Sequence, residues 1–106
     1  HKNLALGHWS QMSFIEQMAN IGSEVERALN WKAKHNSAYC QQAFERSLEL
    51  IDLTLDSLKG FARLKEVARL REIIVEYFLG ANQFMYTEAS LRNYFSNFIY
   101  AARRSR

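Results

Sequence analysis

Proline is absent from this 106-residue chain, glycine occurs four times, histidine three times and cysteine once. A β-rich domain of this length would need more turn punctuation, so the scarcity of Pro and Gly leans towards helices. The lone cysteine, Cys40, excludes an intramolecular disulfide and fits a reducing compartment. No run approaches the roughly 20 apolar residues of a membrane span, and no signal-peptide pattern opens the chain. The expectation is a cytoplasmic protein with no membrane partner. His1 to Gln11 precede Met12-Ser13, which reads as a start, so residues 1–12 are expected to form a leader to one helical domain covering 1–106.

What is present is ordinary globular material: 48% hydrophobic and 24% charged residues, enough for a core without staples and unlike a disordered chain. The net charge of +3 is unevenly spread. Residues 1–58 carry five Lys/Arg and seven Asp/Glu, a balance of −2, whereas residues 59–106 carry nine and four, a balance of +5. A mildly basic half can attract polyanions, but it also serves as a solvated surface.

Apolar periodicity predicts four helices. The first covers about 13–35, with Ser13 and Glu16 spaced as a capping box and Phe14, Met18, Ile21, Val25, Ala28 and Leu29 on one stripe. Asn36 reads as its left-handed terminator. Gly22 interrupts that stripe, and a glycine that weakens a helix by about 1 kcal/mol marks a place where another helix comes close. The second helix covers about 37–58, N-capped by Ser37, with Phe44, Leu48, Ile51, Leu55 and Leu58 inward and Gly60 past its end. Glu45, Glu49, Asp52 and Asp56 line its opposite side, as a wet face or as a surface for a basic partner.

The third helix spans about 61–79 and closes at Gly80; Leu64, Val67, Ala68, Ile74, Val75 and Phe78 form its expected inner seam. The fourth starts after Thr87, a good N-cap, and runs over about 88–104 with Leu91, Phe95, Phe98, Ile99 and Ala102 inward. Short joins between helices of similar length predict an all-α, antiparallel up-down-up-down four-helix bundle.

Arg71 breaks that pattern, because it falls in the middle of the third helix's expected inner arc. An unpaired guanidinium there would be expensive. Glu24 is the best-placed carboxylate and Glu88 the next. Three readings stand open: an ion pair that fixes helix register, a contact to an anionic ligand or RNA phosphate, or a side chain snorkelling to the bundle's edge.

No catalytic constellation is legible. Metal sites need converging His, Cys or carboxylate ligands, and His1, His8 and His35 lie at the chain's start and at a helix end, without the spacing of a di-iron bundle. Cys40 has no evident histidine to activate it and reads as a small buried hydrophobe. Phosphate loops and nucleophile elbows are absent as well. The expectation is a chain that is not an enzyme and holds no metal or cofactor. Interaction surfaces are the remaining candidates. Leu53 and Ile73 fall on solvent-side arcs, and Phe84, Tyr86 and Tyr100 belong to an aromatic content of 13% that one bundle would not fully bury. These residues suggest self-association as a dimer, or another protein partner. A weaker candidate is a polyanion surface made by Asn93, Asn97, Arg103, Arg104 and Arg106, with Tyr100 available to stack on a base.

The string Met12-Ser-Phe-Ile-Glu-Gln-Met-Ala-Asn-Ile-Gly-Ser-Glu-Val-Glu-Arg27 is similar to the opening of small prokaryotic helical proteins without assigned activity. The plan, and the stretch Arg71-Glu-Ile-Ile-Val-Glu-Tyr77, also resembles HEPN domains, helical bundles often encoded with nucleotidyltransferases and including toxin–antitoxin RNases. HEPN RNases place a histidine four to six residues after the arginine. Here Glu76 occupies that place, and no histidine follows His35. The resemblance therefore implies an RNA-associated or toxin–antitoxin-type component without RNase chemistry, as the alternative to an interaction module.

Overall fold

The computed structural model describes residues 7–104, and among them helix is the only regular structure. A short helical turn over 7–10 precedes α1 (Phe14–Ala33), α2 (Ser37–Ser57), α3 (Phe61–Leu79) and α4 (Glu88–Arg104). The all-α class expected from the periodicity is what folds.

Local chemistry sets the ends. Ser13 Oγ accepts from the Glu16 amide while Glu16 Oε1 accepts from the Ser13 amide, each at 3.1 Å, which completes the capping box. The α1–α2 join is shifted one residue from expectation. His35 takes the left-handed conformation (φ 58°), and Asn36, expected there, instead N-caps α2 by accepting from the Tyr39 amide at 3.0 Å. As an N-cap Asn36 takes a non-helical backbone of negative φ (−96°), so the left-handed turn falls to its neighbour. Gly60 likewise serves as the N-cap of α3, and Leu58 ends α2. Thr87 caps α4 as expected, its Oγ1 accepting from the Ser90 amide at 3.0 Å.

The core is organised around α1, which buries Met18, Ile21, Val25, Ala28 and Leu29 against α2 and α4. Gly22 marks the close approach expected of it: a Cβ placed there would lie 2.7 Å from Phe95 Cβ of α4. The Phe14 ring meets Phe98 edge-on at 6.1 Å, and Arg92 donates to Asn30 Oδ1 at 2.8 Å. The start of α1 therefore lies by the end of α4, and its end by the start of α4.

The expected leader reaches this core. Trp9 is only 6% exposed, its indole N–H donates to Thr54 Oγ1 at 2.8 Å, and Gln17 Nε2 donates to the Trp9 carbonyl at 2.8 Å. Packing at Trp9 joins the stretch before α1 to both α1 and α2.

Two inner faces are rotated relative to the periodicity. On α2 the buried residues are Ala43, Phe44, Ser47, Ile51 and Thr54, with Leu48, Leu55 and Leu58 only half-buried, a turn of about 50° at 100° per residue. Ser47 and Thr54 are acceptable inside because their hydroxyls donate to the Phe44 and Leu50 carbonyls at 2.6 and 2.8 Å. On α3 the buried residues are Val67, Leu70, Ile73 and Ile74, a turn of about 90° from the expected seam.

Candidate interaction surface

The rotation of α3 resolves the anomaly at Arg71. The guanidinium lies at the α2–α3 boundary and donates through Nε to Asp52 Oδ1 at 2.8 Å and through Nη2 to Asp52 Oδ2 at 3.4 Å. Neither expected carboxylate meets it. Glu24 pairs with Arg27 at 3.3 Å, and Glu88 pairs with Arg92 at 2.7 Å. With side chains 39% and 54% exposed, the Arg71–Asp52 pair is a boundary contact and not a buried ion pair. Its geometry takes one carboxylate out of the acidic row on α2. Glu45, Glu49 and Asp56 remain, and the first two line a groove of about 500 Å³ with Trp31 and Tyr39.

The same rotation exposes what the seam was expected to bury. Phe61 is 82% exposed, Leu64 39% and Leu79 61%, with Ala68 and Val75 half-buried between them. At 100° per residue these five fall within an arc of about 60°, directed away from the core made by Val67, Leu70, Ile73 and Ile74. The spacing of the stripe was legible in the sequence, but its direction was not. The apolar arc of α3 is wider than one contact face, and only packing decides which part turns inward.

The residues expected to form an interaction surface do not come together. Ile73, expected on the solvent side, is 5% exposed and belongs to the core, again because α3 is rotated. Leu53, Phe84 and Tyr86 are half-buried and packed against the core. The loop after α3 folds back to do this: Asn82 Nδ2 donates to the Tyr86 carbonyl at 2.7 Å, and the Arg69 guanidinium lies 4.8 Å from the centre of the Phe84 ring. Tyr100 alone of the five is open, with Arg104 stacked on its ring at 5.7 Å.

On α4, Asn93, Asn97, Tyr100 and Arg104 share one exposed arc of about 60°. Arg103 turns towards α1, where it borders a groove with Ile15 and Ala19. Arg106 and His1 lie outside the described residues. Where α4 meets α3, Tyr94 Oη donates to Glu66 Oε2 at 2.5 Å. Burial first, and the neighbouring carboxylate second, push the Tyr94 phenol well above its ordinary range.

Cys40 is half-buried beside Lys32, His35 and Phe44. Burial pushes its thiol up, opposed by the nearby Lys32 ammonium. A raised thiol is protonated at neutral pH and is a poor nucleophile. Among the described residues no group of three His, Cys, Asp or Glu side chains is placed to hold a metal ion. No helix among them is long and apolar enough to cross a membrane. In comparison with known proteins, the chain matches no family model, no curated protein and no solved structure.

Proposed function

We propose that this chain is a protein-interaction module, an antiparallel up-down-up-down helical bundle that self-associates or joins a small complex through the outward face of α3. The observation that carries this reading is the stripe of Phe61, Leu64 and Leu79 left in solvent on one helix. Covering a side chain of this size is worth about 1.5–3 kcal/mol, and a continuous apolar line is what partner helices recognise. The bundle arrangement is supported by end-to-end contacts. Phe14 near the start of α1 meets Phe98 in the second half of α4, and Phe44 in the first half of α2 meets Phe78 at the end of α3 at 5.3 Å, contacts that favour opposite senses for each of these two pairs.

The test compares the parent with Leu64→Lys by light scattering after gel filtration, alongside helicity and melting temperature. Association in the parent, lost in the variant with folding intact, is the expected result. Two identical monomers, with nothing retained on either, would sink the reading.

The exposed arc of Asn93, Asn97, Tyr100 and Arg104 favours one other reading, a HEPN-like RNA-associated component that uses α4. A single-stranded RNA oligonucleotide would then bind at about 50 mM salt and leave by about 200 mM, and Tyr100→Ala would weaken it. Binding insensitive to Tyr100→Ala would remove it.

A further inference from the structure

The outward face of α3 carries its charges in an order that selects its own occupant. Most charged side chains of this helix already have a contact: Arg63 lies over the Phe14 ring at 4.6 Å, Glu66 holds Tyr94, Arg69 lies over Phe84, and Arg71 holds Asp52. Glu76 Oε1 accepts from the amides of Ala81 and Gln83. Lys65 and Glu72 are exposed and make no ion pair among the described residues. Both flank the apolar stripe on the same side, within about 20° of each other around the helix. One is positive in the first half of α3, the other negative in the second half.

We infer that a second copy of this chain docks on the stripe with its α3 antiparallel to the first. A parallel pairing would carry Lys65 and Glu72 of the two copies to opposite sides of the seam, where neither finds the other. An antiparallel pairing keeps these flanks on one side and sets Lys65 against Glu72 of the second copy, twice by symmetry, and flanking ion pairs of this kind set helix orientation. The apolar residues obey the same register. Phe61 meets Leu79 of the second copy, Leu64 meets its Val75, and the small Ala68 lies near the two-fold axis, where the helices approach closest. In that register Lys65 and Glu72 are offset along the axis by about 4 Å at 1.5 Å per residue, which a lysine side chain spans. The two helix dipoles also oppose each other in this arrangement.

This inference rests on the reading of the chain as an interaction module, and its test separates the two. Sedimentation equilibrium over a dilution series is run on the parent, Leu64→Lys, Lys65→Glu, Glu72→Lys and the double variant Lys65→Glu/Glu72→Lys, with helicity and melting checked for each. The parent is expected to dimerise. Leu64→Lys should weaken dimerisation by at least about 100-fold, as the loss of a central apolar anchor does. Each single charge change should weaken it by about tenfold, and the double variant should return to within about threefold of the parent, because it restores both unlike pairs.

A monomeric parent that instead holds a different protein, lost on Leu64→Lys, overturns the second-copy inference while the interaction reading survives. A dimer untouched by Leu64→Lys overturns the face. A dimer lost on Leu64→Lys, but in which the double variant is no better than either single one, overturns the antiparallel register.

Discussion

α1 and α3 are alike in length and in apolar content, yet the fold treats them differently. α1 is enclosed: its stripe is covered by α2 on one side and α4 on the other, and the stretch holding Trp9 closes over its start. α3 gives about half of its apolar arc to the core and leaves Phe61, Leu64 and Leu79 in solvent. An amphipathic pattern states how much of a helix wants cover, but neighbours decide how much it receives.

The strongest way to break this contrast is at Trp9. Trp9→Ala should destabilise the fold by about 3–5 kcal/mol, read from urea unfolding, because a large buried side chain and its hydrogen bond are both lost. A change below about 1 kcal/mol would mean that the stretch before α1 is dispensable after all. Next is Gly22→Ala. In an exposed helix this change stabilises by about 1 kcal/mol. Here the new Cβ would collide with Phe95 Cβ, which cannot move without α4, so a net loss of about 1–3 kcal/mol is expected in the same measurement.

At the α3–α4 seam, Tyr94→Phe should cost about 1 kcal/mol at neutral pH through the bond to Glu66. Its signature lies in alkali. The phenol is harder to ionise folded than unfolded, so its contribution is complete below about pH 10 and is lost as pH rises beyond that. The parent's stability should therefore fall more steeply above about pH 10 than that of the variant. Arg71→Met should change stability by less than about 1 kcal/mol, as a half-exposed ion pair does. A loss of 3 kcal/mol or more would restore the picture of a buried, register-fixing charge. Smallest of all, Leu64→Lys should leave the dissociated chain within about 0.5 kcal/mol of the parent by thermal unfolding. A large loss there would show that α3 is enclosed as fully as α1.

Much of the fold was legible in the sequence. Ser13 and Glu16 named the start of α1, Thr87 the start of α4, and Gly22 the close crossing, since each records a local requirement that only a few residue types satisfy. What could not be read was the rotation of α2 and α3. Ser47 and Thr54 look polar in a sequence, yet they enter the core because they bond within their own helix and give α1 room to approach. Leu48 and Leu55 look like core, yet they are pushed to the edge by the same approach. On α3 the sequence pattern alone points Arg71 inward and Ile73 outward, and it hides the exposed stripe for the same reason. Trp9 was invisible for a different reason, because its partners at Thr54 and Gln17 are fixed only once the chain has folded.

The seat of Trp9 is built jointly by the start of α1 and the end of α2, with 45 residues separating the indole from the hydroxyl that receives its hydrogen. It does not exist until the hairpin of α1 and α2 has closed, and closing so long a loop is slow relative to forming either helix. The stretch around Trp9 is thus among the last parts of the fold to find its place, as a latch that can engage only a finished frame.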